Sequence, residues 1–235
     1  MLSVVLVEPE HEINIGMVAR VMKNTGFSDL IVVNPKCKIG KKAFMFSKHA
    51  SDVLRNARIF KTLEPAIKGF DYVIGTTGVF NRHGKTDYGL ISLGDFLKRA
   101  KPYLFSRVAV LFGREGTGLS SEEMDICDFA VYIESNPEYP VFNLSHAAAI
   151  FLYSVSQCKP KRSKGFEPLA SGEERRTLES IFTQICSNYT LRNARRVNAV
   201  WKKVLSKSML TEKEARSLLK VFRLLSEDIS NIKKC

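Results

Sequence analysis

Three short runs carry residue types from which a site acting on a polyanion could be assembled. The first, Asn14-Ile15-Gly16-Met17-Val18-Ala19-Arg20, supplies an amide and a guanidinium; the latter can grip a phosphate or carboxylate in two places. The second, Leu111-Phe112-Gly113-Arg114-Glu115-Gly116-Thr117-Gly118-Leu119, is rich in glycine, as backbone that bends close to a ligand often is. Its Glu115 could hold Arg20 or a substrate hydroxyl. The third, Phe142-Asn143-Leu144-Ser145-His146-Ala147-Ala148-Ala149-Ile150, brings Asn143 and Ser145 to the start of a very apolar helix. Plainer readings stand beside these. Asn14 and Asn143 also suit helix caps, Arg20 a surface charge, and the second run a turn with an Arg114–Glu115 pair. The glycine run is neither a dinucleotide fingerprint nor a Walker loop, because the first needs GxGxxG on an early βα turn and the second needs Gly-Lys-Ser/Thr.

Each run follows a stretch that reads as a strand: Leu2 to Val7, Arg107 to Phe112 and Phe129 to Ile133 are short, apolar and rich in β-branched residues. Loops at the carboxyl ends of parallel strands are where an open α/β sheet presents ligands, so the three runs are expected to converge. Helical patterns over about Ile15 to Thr25 (closed by Gly26), Lys41 to Asn56, Leu93 to Tyr103, Ser121 to Cys127 and Leu144 to Gln157 alternate with these strands. Further strands are expected at Leu30 to Val33, Arg58 to Phe60 and Tyr72 to Gly75. The alternation predicts an α/β fold with a mostly parallel sheet covered on both faces.

Charge divides the chain. Residues 1–158 hold 18 Lys+Arg against 16 Asp+Glu, a net of +2, and the remainder holds 18 against 8, a net of +10, which together make the +12 of the whole. A nearly neutral body joined to a strongly basic appendage points to a polyanion held through its phosphates. The polar stretch Lys159 to Gly165, with Pro160 in it, reads as a linker. The expected division is a body over 1–158, a linker over 159–171 and a helical extension over 172–235. In the extension, Ser171 with Glu174 and Thr211 with Glu214 have capping-box spacing. Leu178, Ile181, Phe182 and Ile185, then Val197, Val200, Trp201 and Val204, then Ala215, Leu218, Phe222 and Leu225, form apolar stripes expected to make a core. Arg195, Lys202 and Lys203, with the line Arg216, Lys220 and Arg223, lie off those stripes and are the expected RNA-binding set. The five cysteines are scattered without a CxxC or ligand cluster, so reduced thiols and no metal are expected. With no leader and no apolar stretch near the roughly 20 residues that span a bilayer, a cytoplasmic protein without membrane contact is expected.

In order and content, the three runs resemble the SPOUT class of S-adenosylmethionine-dependent RNA methyltransferases, and within it the TrmH-like ribose 2'-O-methyltransferases, over roughly residues 1–157. Ala199 to Leu205 and Leu210 to Ala215 are similar to the C-terminal extension of tRNA-methylating members. The resemblance implies a sheet whose C-terminal part is tied into a trefoil knot, an exception to the rule against threading. It also implies a homodimer in which the Leu144 helix packs on its counterpart. S-adenosyl-L-methionine would lie in loops formed by Thr76, Thr77, Gly78, Gly113, Ile133, Pro140, Val141, Phe142 and Leu144. The catalytic set would be Arg20, Asn14, Glu115 and Asn143, and the substrate a cytidine or uridine ribose at anticodon-loop position 32 of tRNA. In one respect the chain departs from such members: where they commonly carry Ser-Leu-Asn it has Val141-Phe142-Asn143, so no hydroxyl carries over to position 141. A ribosomal RNA 2'-O-methyltransferase, or a noncatalytic RNA-binding protein on the same fold, are the alternatives.

Overall fold

The computed structural model describes residues 1–78, 89–103, 106–158, 167–188 and 193–232. Seven described strands, β1 (Leu2–Val7), β2 (Leu30–Val33), β3 (Arg58–Phe60), β4 (Tyr72–Thr77), β5 (Gly89–Ser92), β6 (Val108–Phe112) and β7 (Phe129–Tyr132), form one sheet in the order β3-β2-β1-β6-β4-β7-β5. Every pairing is parallel. Strands β1, β2 and β6 are buried along their whole length, as a sheet covered on both faces demands.

Side chains alternate between two cores. Val4 and Leu6 of β1 face helices α1 (Glu12–Thr25), α5 (Leu93–Tyr103) and α7 (Leu144–Gln157), through Ile15, Val18, Phe96 and Phe151. Val5 and Val7 face α4 (Leu63–Ile67) and α6 (Ser121–Ile126), through Leu63, Ala66 and Met124. The period of two follows from the pleat. The expected helix over Lys41 to Asn56 is three pieces, α2 (Lys41–Ser47), a 3-10 turn over Lys48–Ala50 and α3 (Ser51–Arg55). The break falls at Lys48, whose φ is 52°. Strand β4 runs two residues further than its apolar signal, and β5 and α4 had no clear signal at all.

The extension contributes α8 (Gly172–Ser187), α9 (Ala194–Lys207) and α10 (Glu212–Ile232) around a small core of Leu178, Leu205, Ala215 and Leu219. Both capping boxes form: the Glu174 and Glu214 amides donate to Ser171 Oγ and Thr211 Oγ1 at 3.2 and 3.3 Å, and each glutamate accepts the cap residue's own amide. Residues 167–170 of the expected linker pair with the α9–α10 turn, Ala170 N donating to Leu210 O at 2.8 Å; residues 159–166 lie outside the described residues. One expected stripe holds only at Trp201, which stacks on Phe182 and packs against this core. Val197, Val200 and Val204 are exposed, as is Leu225. Helix α9 packs on β5 and β7 as well as on α8, which turns Leu205 and Ser206 inward instead.

The extension is bolted to the sheet by a buried arginine. Arg175 of α8 is 6 % exposed. Its Nη1 donates to Asp128 Oδ1 at 2.8 Å, its Nη2 donates to the Asp71 carbonyl, and its guanidinium carbon lies 3.8 Å from the Tyr72 ring centre. Gly172 N adds a bond to Asp71 Oδ1 at 3.1 Å. A Cβ on Gly172 would stand 2.7 Å from Phe70 O, so only glycine permits this approach. Burial pushes the Tyr72 hydroxyl up to about 12, although Arg175 pulls it down. Asp71 and Asp128 precede β4 and β7, so the anchor sits at the amino ends of those strands. How the chain threads between β4 and β7, on which the expected knot depends, involves residues 79–88, outside the described residues.

Candidate active site

The carboxyl ends of β4, β6 and β7 open into one cleft that is partly open to solvent. Thr76, Thr77, Gly78, Gly113, Ile133, Val141, Phe142 and Leu144 of the expected donor-binding set line it, and so does Glu115. Pro140 does not line it. Its carbonyl instead accepts Ser135 Oγ at 2.6 Å and abuts Gly78, where an added Cβ would be 3.0 Å away. The floor includes Phe112, Leu119, Met124 and Ala147, none of which had a sequence signal distinguishing it from ordinary core.

The glycine loop closes on itself by reciprocal bonds between Arg114 and Gly118 backbones, at 3.2 and 2.9 Å. A Cβ on Gly113 would stand 2.1 Å from the Gly118 carbonyl carbon. Gly113→Ala is therefore expected to destabilise the fold by about 1–3 kcal/mol, as overpacking does, and to weaken ligand binding in the cleft; an unchanged melting temperature would contradict this. Arg114 does not pair with Glu115. Its guanidinium bridges Glu8, at 2.9 Å, and Glu123, at 2.8 and 3.0 Å. Burial raises the Glu8 carboxyl, but bonds from Lys36, Arg114 and Asn34 more than offset that and hold it below its ordinary value.

Glu115 performs a task that local sequence does not display. Its carboxylate accepts the backbone amides of Glu10 (2.8 Å) and His11 (3.2 Å) and the Asn14 side-chain amide (2.8 Å). It thus terminates the amino end of α1, whose N-cap residue, His11, makes no side-chain cap. A carboxylate at this position also complements the helix dipole. Neither the reading of Asn14 as cap nor that of Glu115 holding Arg20 survives, because α1 starts before Asn14 and Glu115 is spent on that start. Asn143 does cap α7: its Oδ1 accepts Ser145 N at 2.9 Å and Ser145 Oγ at 2.8 Å. Its Nδ2 donates to Asn14 Oδ1 at 3.2 Å. Glu115, Asn14, Asn143 and Ser145 therefore form one chain of hydrogen bonds joining the three runs.

Arg20 stands apart from that chain. Six residues beyond Asn14, roughly 9 Å along the helix axis at 1.5 Å per residue, it is exposed, does not line the cleft and has no ion pair among the described residues. Gly16, one turn before it, allows α2 to touch α1: an added Cβ would be 2.3 Å from Ala43 O. Of the expected RNA-binding residues, Arg195, Lys220 and Arg223 are exposed. Lys202 Nζ donates to Asp125 O at 2.7 Å, and Arg216 pairs with Glu174 and Glu212. No helix is long and apolar enough to cross a membrane, and no metal-ligating cluster occurs, among the described residues.

Known proteins are similar to the chain in sequence and in fold. Residues 1–153 match the SpoU rRNA Methylase family. The chain is 33% identical over 234 residues to tRNA (cytidine-2'-O-)-methyltransferase TrmJ of Methanocaldococcus jannaschii, covering 95% of this chain and 99% of that one. It is also 33% identical to the Sulfolobus acidocaldarius protein of the same name, covering 94% and 92%. The crystal structure of TrmJ from Z. mobilis superposes with a TM-score of 0.70 at 24% identity, over 96% of this chain and 99% of that chain, and so shares its fold. Since the family match takes in the seven described strands and all three motif runs, and a relative aligns almost end to end, the chain belongs to the SpoU rRNA methylase family and is an RNA methyltransferase.

Proposed function

We propose that the protein is an S-adenosyl-L-methionine-dependent tRNA ribose 2'-O-methyltransferase, acting as a homodimer on a cytidine or uridine at anticodon-loop position 32. The observation that carries the reading is the hydrogen-bond chain from Glu115 through Asn14 to Asn143 beside the cleft, together with relatives of that activity aligned along nearly the whole chain. The chemistry of the lining suits an adenosyl group: apolar side chains of Leu119, Met124 and Leu144 offer a surface for a flat base, and the loops at Gly78 and Gly113 bring backbone to its edge. When bound, the donor supplies an electrophilic methyl group on a sulfonium.

The chain's own work is positioning. Glu115, Asn14 and Asn143 fix the start of α1 against the cleft, and α1 in turn sets the direction of Arg20. A guanidinium stays protonated at neutral pH, so Arg20 orients the phosphate beside the target ribose and stabilises the developing alkoxide instead of removing its proton. Because Arg20 does not line its own chain's cleft, this reading requires the homodimer to bring it to the partner's cleft, with α7 packed on its counterpart. The extension over 172–235 adds affinity for tRNA through Arg195, Lys203, Lys220 and Arg223. Labelled methyl donor supplied with in vitro transcribed tRNA or ribosomal RNA, followed by mapping of the modified ribose, tests the proposal. Label at ribose 32 of tRNA is expected; label only in ribosomal RNA, or none, would reject it.

Val141 is exposed at the cleft, at the position where the resemblance to tRNA-methylating members implies a serine. A hydroxyl there can add one hydrogen bond, about 0.5–1.5 kcal/mol net. Val141→Ser is expected to change relative rates on tRNAs differing only at the target base by up to about tenfold, with donor affinity little changed. Identical rate ratios across the four bases would show that position 141 does not set selectivity.

A further inference from the structure

The near neutrality of the body hides a local excess. Between Asp29 and Asp52 there are five lysines, Lys36, Lys38, Lys41, Lys42 and Lys48, and no acid. Lys36 is paired with Glu8. The other four are exposed and have no carboxylate partner among the described residues. Carboxylates beside the segment are already engaged: Glu12 Oε1 accepts the Lys42 and Ala43 amides at 3.0 and 3.2 Å, Asp52 pairs with Lys23 at 2.7 Å, and Glu115 holds the Glu10 and His11 amides.

Those same bonds align this segment with motif one. Glu12 meets Lys42, Gly16 meets Ala43, and Lys23 meets Asp52, so the chain from α2 to α3 runs in step alongside α1. Arg20 falls between the Gly16 and Lys23 ties, one turn beyond Gly16 and on the same helix face. Lys41 and Met45 share a face of α2, Lys48 follows directly after its end, and all three are exposed.

Lys48 carries a second signal. Its φ of 52° and ψ of −117° lie where glycine is at ease and a side chain is strained. The turn is held from inside by Ser47, fully buried, with its Oγ donating to Phe44 O at 2.9 Å. A sequence selected for stability alone would place glycine here.

We propose that Lys38, Lys41, Lys42 and Lys48 form a phosphate-gripping surface on the catalytic body, flanking Arg20, that holds the RNA backbone next to the reacting nucleotide independently of the basic extension. The proposal rests on the RNA-methyltransferase reading. Uncompensated like charges repel one another, and a polyanion laid along them removes that repulsion while releasing counterions.

The test uses the full-length protein and an in vitro transcribed tRNA, with binding measured from low to moderate salt. Lys41→Gln with Lys42→Gln is compared with Lys61→Gln plus Lys68→Gln, which removes the same charge from elsewhere on the body. The first pair is expected to weaken binding about tenfold or more and to lower the salt slope by about 1.5, at roughly 0.7–0.9 per phosphate contact; the control pair is expected to do neither. Lys48→Gly is expected to melt no lower than wild type yet bind RNA more weakly, a combination that a purely structural lysine would not give. Equal slopes for the two double variants, or Lys41- and Lys42-dependent binding to phosphatidylserine vesicles but not to tRNA, would overturn the proposal. If the wild type transfers no methyl group to RNA, the enzymatic reading fails, while a difference in slope between the double variants would still support the surface.

Discussion

Arg20→Ala is expected to lower single-turnover methyl transfer about 10²–10³-fold with the fold and donor affinity intact. That is the range seen when one preorganised charge-stabilising group is removed from a developing oxyanion. Arg20 is exposed, outside the cleft, and without an ion pair among the described residues, so its removal leaves no buried group unsatisfied and no donor contact broken. Asn14 and Glu115 hold the start of α1 whether or not Arg20 is present. Calorimetry with the donor alone, and transfer measured at saturating donor, separate the two effects. Donor affinity lost while transfer survived would show that the assigned role is wrong.

The second large effect is on stability. Arg175→Met is expected to cost about 3–5 kcal/mol, the range for removing one partner of a buried ion pair. The change leaves Asp128, whose side chain is 18% exposed, without its strongest partner, and uncovers the face of Tyr72. Asp128→Asn combined with Arg175→Met should cost less than the sum of the two single changes, since no uncompensated charge then remains. Urea denaturation followed by Trp201 fluorescence and by circular dichroism measures this. A single-variant loss below about 1 kcal/mol would mean that the anchor is solvated and weak. The same geometry argues against cutting the chain at 158 to isolate the body, because the cut would strip Arg175 from Asp71, Asp128 and Tyr72.

What the sequence made legible follows from which interactions are local. The apolar runs of β1, β2 and β6 announce themselves because a strand buried on both faces has no polar side to disguise it. Helix α7 is readable because Asn143 caps it from within. Helix α1 begins earlier than its own residues suggest because the segment leading into it is held by Glu115, about a hundred residues downstream, and no local rule displays such a partner. For the same reason Glu115 could be singled out as unusual without its role being seen. The exposed valines of α9 were misread because amphipathic spacing shows that a helix has an apolar side, while a helix touching both sheet and bundle turns only part of that side inward. Edge strand β5 has four residues, too few for a period to show, and it is defined by its neighbour β7.

The position of the Arg175 anchor makes the molecule a ruler. The extension is fastened at the amino ends of β4 and β7, and the cleft opens at their carboxyl ends. Strand β4 has six residues, so at about 3.3 Å each the two levels are separated by roughly 20 Å. An RNA held at the anchored end of the extension and presented to that chain's cleft must bridge this span. An isolated loop of a few nucleotides is too short to do so, whereas a folded stem with its loop has the reach, and length would then screen substrates before any base is read.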